Sequence, residues 1–490
     1  MAEVISEVTK IRRRVLTEVA ALIFNNRLVE DIEDLPKKLT DEGLTSYRCC
    51  QYKEQAILQE RIKLAIGIDI TVEDSKKRLE ELARDVLDQP VARSNKPYIT
   101  LIEEACDHCS IDKMFVTNAC RNCVAHNCVN SCPRDAIKIV DNRAFIIREK
   151  CIECGLCAKA CSYGAIVEIE RPCSRACAVD AVVSGDKASA AIEEGNCVEC
   201  GACIVACPFG AISYRSEIVN VIKMLRDSQS ETVALVAPSF IGQFGPGVDW
   251  DVLKEGLKKL GFTRVVMVAV GADEVIREES RELLENIEFN KGVTFNSCCP
   301  SFKNLINKHY PELTAGISTT ESPMLKTARL LKKSGDEDIK NIFIGPCLAK
   351  KGEAVRESNG LIDGVLTYEE IAAVLVGAGI NLAKLGGEKS RRDNNFENPS
   401  IDALNFCAAG GVSKAILNSM ERDGLQVKTA AGIRDCDKLL KQISRGVFKI
   451  DFMEGMGCQD GCIGGPGTMT GPAKAKGLLK KMSREVEMNV

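Results

Sequence analysis

The sequence predicts three successive parts: a helical N-terminal region over 1–98, an α+β cysteine-rich region over 99–215 and an α/β domain over 216–490. Three observations predict this. Apolar residues before 98 recur at helical spacing, and sixteen cysteines crowd between Cys106 and Cys207. Beyond about residue 216, apolar strand-like runs alternate with helical stretches, the pattern of a parallel sheet with crossover helices.

A chain of 490 residues can form two or three domains and bury a sizeable core without disulfides. Its formal charge of -4, from 65 basic and 69 acidic residues, gives neither a nucleic-acid footprint nor a polybasic membrane surface. The outlier is 25 cysteines, which read either as a secreted disulfide framework or as a set of metal sites. Residues 1–20 carry Glu, Lys and three consecutive arginines with no apolar core of signal-peptide length, so the expectation is a cytoplasmic protein with reduced thiols. No apolar run approaches the roughly 18 residues of a membrane-spanning helix.

In the N-terminal region Val15, Leu16, Val19, Ala20, Leu22 and Ile23, then Ala56, Ile57, Ile62, Ala65 and Ile66, predict a small helical domain or collar. Cys49 and Cys50 are adjacent, without a CxxC partner, and read as ordinary thiols with no assigned role.

The runs Cys151-x2-Cys154-x2-Cys157-x3-Cys161 and Cys197-x2-Cys200-x2-Cys203-x3-Cys207-Pro208 have the spacing of bacterial ferredoxins. Cys120-x2-Cys123-x4-Cys128-x3-Cys132-Pro133 is the same run with a longer middle spacer, entering a short strand at 136–139. In two-cluster ferredoxins the fourth cysteine of a run crosses to the other cluster. That rule puts Cys120, Cys123, Cys128 and Cys161 on one 4Fe-4S cluster, and Cys151, Cys154, Cys157 and Cys132 on its partner. Cys106-x2-Cys109 and Cys173-x3-Cys177 then read as halves of one split run, giving Cys197, Cys200, Cys203 and Cys177 on a third cluster, and Cys106, Cys109, Cys173 and Cys207 on a fourth. The alternative is that these four are remnants and fewer clusters bind. His108 reads as a neighbour of its CxxC, not a ligand. The fold class is thus an α+β ferredoxin-like region followed by an α/β domain.

In the α/β domain the apolar runs 233–237, 265–270, 292–295 and 342–344 are predicted strands. Cys298 and Cys299 follow one run, Cys347 follows another, and Cys458 comes shortly after 448–450. Carboxyl ends of parallel strands are where such folds build sites, so these stretches can share one pocket. Cys299, Cys347, Cys458 and Cys462 supply the four thiolates of a cubane, while Cys298 stays free.

Phe295-Asn296-Ser297-Cys298-Cys299-Pro300, Gly345-Pro346-Cys347-Leu348-Ala349-Lys350-Lys351-Gly352-Glu353 and Glu454-Gly455-Met456-Gly457-Cys458-Gln459-Asp460-Gly461-Cys462, in that order behind a ferredoxin-like region, resemble the catalytic domain of the iron-only (FeFe) hydrogenases. The likeness covers roughly residues 230–470 and is nearest to the forms sometimes called group B. It implies reversible conversion of two protons and two electrons to dihydrogen at an H-cluster, a 4Fe-4S cubane joined to a two-iron unit with CO, cyanide and a dithiolate. Cys299, Cys347, Cys458 and Cys462 match its cubane ligands, Cys462 being the bridge. Cys298 matches the proton-relay thiol, a group whose ordinary pKa near 8.5 suits proton exchange. Lys350 matches a cation contacting a cyanide; Pro238 and Ser239 match a segment lining the cyanides; Met456 and Phe406 match apolar neighbours of the cofactor. Glu279, Glu282 and Ser318 match the proton path, the two carboxylates being neighbours on a helix predicted over 273–287.

This sequence departs from the family at Asn286, where a surface arginine is usual, at Gly345 for Met, at Met324 for a polar amide and at Phe302 for Trp. Such changes alter the surroundings that tune a metal centre, so slow or directionally biased turnover is expected. Cys407 and Cys436 match no role. Two other functions fit the same likeness: a hydrogen-sensing relative of low turnover, and an iron–sulfur assembly or electron-transfer protein lacking the two-iron unit. The joint presence of Cys298, Glu279, Ser318 and Lys350 favours the enzyme. No glycine-rich dinucleotide loop is tied to a strand–helix unit, so the expected partner is a ferredoxin or other redox protein, with maturation proteins supplying the two-iron unit.

Overall fold

The computed structural model describes residues 5–43, 47–71, 76–89, 93, 96–106, 109, 113–185, 189–228, 231–333, 339–386, 399–420 and 424–488, with side chains through residue 484. Its centre is a four-stranded, all-parallel sheet in the order Arg264–Met267, Glu231–Val236, Ile339–Gly345, Gly364–Thr367. Residues 232–236 are all buried, as an unbroken apolar run requires when both faces of a parallel sheet are covered. A second parallel sheet holds Thr294–Phe295, Phe452–Met456 and Val427–Ala431 in that order.

Two strands differ from expectation. The run 448–450 is not a strand: Phe448 and Lys449 are exposed, and the strand before Cys458 is Phe452–Met456. Glu454 hides it in the sequence. Its carboxylate is fully buried and accepts from Gly410 N and Ser413 N, each at 2.7 Å, at the start of helix Gly411–Met420. A helix N-terminus favours an anion, which lets a charged residue sit inside a sheet. The run 265–270 also stops as a strand at Met267; its remaining apolar residues enter helix Ala269–Glu288, where Val268 and Val270 join the core around Met324 and Leu325.

The cysteine-rich region is one ferredoxin-like unit inside another, which bears out the α+β expectation. Strand Ile99–Leu101 pairs antiparallel with Ile212–Tyr214 and closes the outer unit around hairpin Val182–Ser184 and Ala190–Ile192. Strand Met114–Val116 pairs with Ile166–Glu168, and Ile137–Val140 with Arg143–Ile146, forming an inner unit inserted between Cys109 and Cys173.

The N-terminal helices Glu7–Phe24 and Gln51–Ala65 carry their apolar stripes into the core of the α/β part: Val15, Val19, Ile23 and Ile62 share one cluster with Ile218, Ile222, Ile371 and Val374. Gly377 makes the contact close, since a Cβ there would stand 2.8 Å from Ala20 Cβ and from Ala21 N. Arg12 Nε and Arg13 Nε donate to the two oxygens of buried Glu369, at 2.8 and 2.9 Å. Among the described residues no helix is long and apolar enough to cross a membrane.

Gly377→Val is expected to force these helices apart and destabilise the protein by about 1–3 kcal/mol. A lowered urea midpoint together with new protease cleavage within residues 1–65 is the expected readout; an unchanged midpoint would contradict the close packing.

Candidate metal and proton-transfer site

Three strand ends build the pocket. Thr294–Phe295 delivers Cys298 and Cys299, Ile339–Gly345 delivers Cys347, and Phe452–Met456 delivers Cys458, with Cys462 on the short strand Gln459–Cys462. Gly461 lets the last loop turn tightly: its φ is +78°, and a Cβ would meet Ala409 N at 2.6 Å. Cys299 then caps helix Pro300–His309, while Gly457 N donates to its Sγ at 3.2 Å.

Burial raises the thiols of Cys299, Cys347, Cys458 and Cys462, the last to about 12. In Cys347, Cys458 and Cys462 the charge of neighbouring thiolates in the set adds to that effect. None of the 25 cysteines is in a disulfide. Four thiols that repel one another's ionised forms have one neighbouring cation, Lys350, which is too little to hold all four ionised; an iron–sulfur core would supply the rest, so the residues fit such a group. Among the described residues no three His, Cys, Asp or Glu side chains are set for a single metal ion.

Cys298 is buried, and its Sγ accepts from Asn296 Nδ2 at 3.1 Å. Burial, then the charge of Glu279, pushes its thiol well up. Glu279 has no exposed surface; its Oε1 accepts from Ser297 N at 2.9 Å and Ser297 Oγ at 3.0 Å, whereas Oε2 is buried without a partner. Burial lifts its carboxyl to about 7 against the Ser297 hydrogen bonds. Ser318 Oγ donates to Glu282 Oε2 at 2.6 Å, and Glu282 Oε1 accepts from Thr319 N at 2.9 Å at the exposed surface. Asn286 turns away from this route and donates to Thr294 Oγ1 at 3.1 Å.

Lys350 Nζ donates to Glu353 Oε2 at 2.6 Å and Cys298 O at 3.3 Å. Burial opposes its charge, yet Glu353 and the thiolates of Cys347 and Cys298 keep the ammonium above its usual range. Cys298, Met456, Phe406 and Tyr368 lie in one apolar cluster. Pro238 and Ser239 are buried, Ser239 Oγ standing 2.8 Å from Tyr368 Oη. Cys407 and Cys436 are buried, and Cys436 Sγ donates to the carbonyls of Ala430 and Met456 at 3.5 Å.

In the cysteine-rich region the thiols sense one another in four sets. Cys128 feels Cys161 and Cys120; Cys157 feels Cys151 and Cys154. Cys203 feels Cys200, Cys197 and Cys177, and also Cys173 of the neighbouring set; Cys173 feels Cys207, Cys106 and Cys109. Cys123 and Cys132 sit on the loop and turn of the first two sets. His108 lies outside the described residues. Cys458 also feels Cys200, across a cleft of about 600 Å³ lined by Arg175, Cys200, Arg434, Cys458 and Pro466. Glu199, between Cys197 and Cys200, accepts from Arg356 Nη1 at 3.0 Å and Nη2 at 2.8 Å, clamping that loop to the helix that follows Cys347.

Residues 230–466 match the family model of the iron only hydrogenase large subunit, C-terminal domain, and 144–167 and 190–213 match the 4Fe-4S binding domain. Iron hydrogenase 1 of Clostridium pasteurianum is 30% identical over 388 residues, covering 68% of this chain and 67% of that one. The chain belongs to the iron-only hydrogenase family. The periplasmic [Fe] hydrogenase large subunit of Nitratidesulfovibrio vulgaris is 29% identical over 322 residues, covering 55% of this chain and 75% of its own. A solved [FeFe]-hydrogenase HydA1 from Chlamydomonas reinhardtii is 23% identical, with a TM-score of 0.45 over 54% of this chain and 88% of that one. As a member of this family, the protein is a hydrogenase-type iron–sulfur oxidoreductase.

Four site residues of this family member escape a sequence reading: Asn296 on Cys298, Ser297 on Glu279, Tyr368 on Ser239 and Glu199 between two cluster thiols. Asn296 and Ser297 sit inside a quoted motif, which was a usable signal; Tyr368 and Glu199 give none.

With its carboxyl near pH 7, Glu279 binds a proton in the folded protein that it releases at about 4.5 when unfolded, so this group's contribution to stability falls as pH rises from about 4.5 to 7. The expected signature is a carboxylic acid C=O infrared band that titrates near pH 7 and disappears in Glu279→Gln. A band titrating near pH 4.5 would refute the buried-acid assignment.

Proposed function

We propose that this protein interconverts two protons and two electrons with dihydrogen at an H-cluster whose cubane is held by Cys299, Cys347, Cys458 and Cys462, Cys462 bridging to the two-iron unit. The observation that carries the proposal is the free thiol of Cys298 beside that four-thiol set, backed by Glu279, Ser318 and Glu282. The two-iron unit, with its CO, cyanide and dithiolate ligands, supplies the bond-forming and bond-breaking chemistry when bound.

The protein's own groups handle protons, electrons and access. Cys298 Sγ takes or gives the proton at the pocket, with Asn296 Nδ2 holding the sulfur in place. Glu279, with a pKa near 7, can be replenished through Ser318 from Glu282, which meets solvent at Thr319. Lys350 supports anionic ligands, held charged by Glu353; Ser239, Pro238, Met456 and Phe406 line and dry the pocket. Cys200 and Cys458, which line one cleft, would hold neighbouring clusters, and the four 4Fe-4S sets would supply the electron wire when bound. A ferredoxin or similar redox protein exchanges them, and maturation proteins supply the two-iron unit.

The test is dihydrogen evolution from reduced viologen by protein with reconstituted cubanes and a supplied two-iron unit. Cys298→Ala is expected to lose at least the 10²-fold typical of a removed acid–base group while its infrared CO and cyanide bands persist. Wild-type protein with the two-iron unit bound and no turnover would overturn the catalytic reading in favour of a hydrogen sensor.

A further inference from the structure

Neither the proton path nor the pocket uses the N-terminal helices, yet these reach one cluster site directly. Arg61, on helix Gln51–Ala65, is 7% exposed, and its guanidinium donates to Gly210 O at 2.8 Å. Among the described residues no carboxylate forms an ion pair with it; the negative groups whose charge it feels are Cys207 and Glu54. Glu54 Oε1 is already held by Tyr47 N and Arg48 N, at 2.7 and 2.8 Å. Arg12 and Arg48 add further positive charge nearby. Burying a cation without a paired anion is costly, so something must offset it.

The turn that Arg61 touches is the one that wraps a cluster thiol. Gly210 N donates to Cys207 O at 3.2 Å and Ala211 N donates to Cys207 Sγ at 3.4 Å. Gly210 has φ +60°, and a Cβ there would come within 2.6 Å of the Arg61 guanidinium, so the cation lies directly against the turn. Arg48 works on both halves of the split run: its Nη2 donates to Ala105 O, just before Cys106, at 3.2 Å and to Phe209 O, just after Cys207, at 3.4 Å. Its guanidinium also stacks 5.5 Å from the Phe209 ring centre.

We propose that Arg61 is a buried counter-charge of the cluster held by Cys106, Cys109, Cys173 and Cys207, and that it raises that cluster's reduction potential, while Arg48 fastens the two halves of the ligand set. Arg171 stands alongside it as a second cation, acting on Cys109. This rests on the reading of those four thiols as a cluster site. Reduction adds one electron, drawn from a neighbouring cluster or the external carrier, and so one negative charge; a fixed cation in a low-dielectric site favours that reduced form. The N-terminal region thereby acquires a role: it sets the level of one station on the electron wire.

Iron content and redox-titrated electron paramagnetic resonance spectra of the full-length, reconstituted protein test this. Cys109→Ala identifies the cluster by the signal and the four irons it removes; if it removes neither, the cluster reading fails and the inference with it. Given that signal, Arg61→Gln is expected to keep its iron and lower this midpoint alone by about tenfold in the reduction equilibrium, ~59 mV for one electron. Arg61→Lys is expected to stay near wild type. A wild-type midpoint in Arg61→Gln, or an equal shift of every cluster, overturns the proposal. Should Arg61→Gln lose the cluster, Arg61→Lys decides: retention at the wild-type midpoint supports the charge, and loss there too refutes it in favour of packing.

Discussion

Four thiols that feel one another's charge, carried at or near the ends of strands from two sheets, are the constraint on which the rest of this protein depends. Isolated, each would stay protonated, because burial and the charge of its neighbours both oppose ionisation. In the proposed function an iron–sulfur core would supply the positive charge that reverses that balance. The supporting details follow from it. Gly461 gives the loop between Cys458 and Cys462 its sharp turn, Gly457 N–H is aimed at a sulfur, and Lys350 remains charged beside Cys298.

In the proposed function, protons and electrons would be served by different parts of the chain. Helix Ala269–Glu288 and the 318–320 turn offer carboxylates and hydroxyls, which carry protons over hydrogen-bond distances. The Cys197–Cys200 loop offers sulfur, and it is bolted to the catalytic part by Glu199 on Arg356 and by Lys308 on the Cys197 carbonyl at 2.7 Å. A charged pair with two good hydrogen bonds resists sliding better than an apolar contact would, which suits a junction where electron transfer depends on separation.

How much of this could be read from the residues depended on how local the governing chemistry was. The 4Fe-4S motifs at 144–167 and 190–213 are legible because thiol spacing is itself the constraint. Parallel strands such as Glu231–Val236 were legible as unbroken apolar runs. Phe452–Met456 was not, because Glu454 reads as a break until the helix start that receives its carboxylate is known. The periodicity of residues 7–24 reveals a buried face but not its partner, so its merging with the core around Ile371 was invisible. Tyr368 and Arg61 are single residues whose meaning comes wholly from distant chain segments.

The nesting of one ferredoxin-like unit inside another has a consequence for synthesis. Residues 113–169 contain all the strands and all eight thiols of the inner unit, so it can close as soon as it clears the ribosome. The outer unit cannot: strand Ile99–Leu101 must wait for its partner Ile212–Tyr214, more than a hundred residues later. Until then Cys106 and Cys109 stand on an open edge, without Cys173 or Cys207, while a finished unit hangs from the same loop. The order in which the two units can close during translation is therefore written into the topology, with the inner unit first and the outer one last.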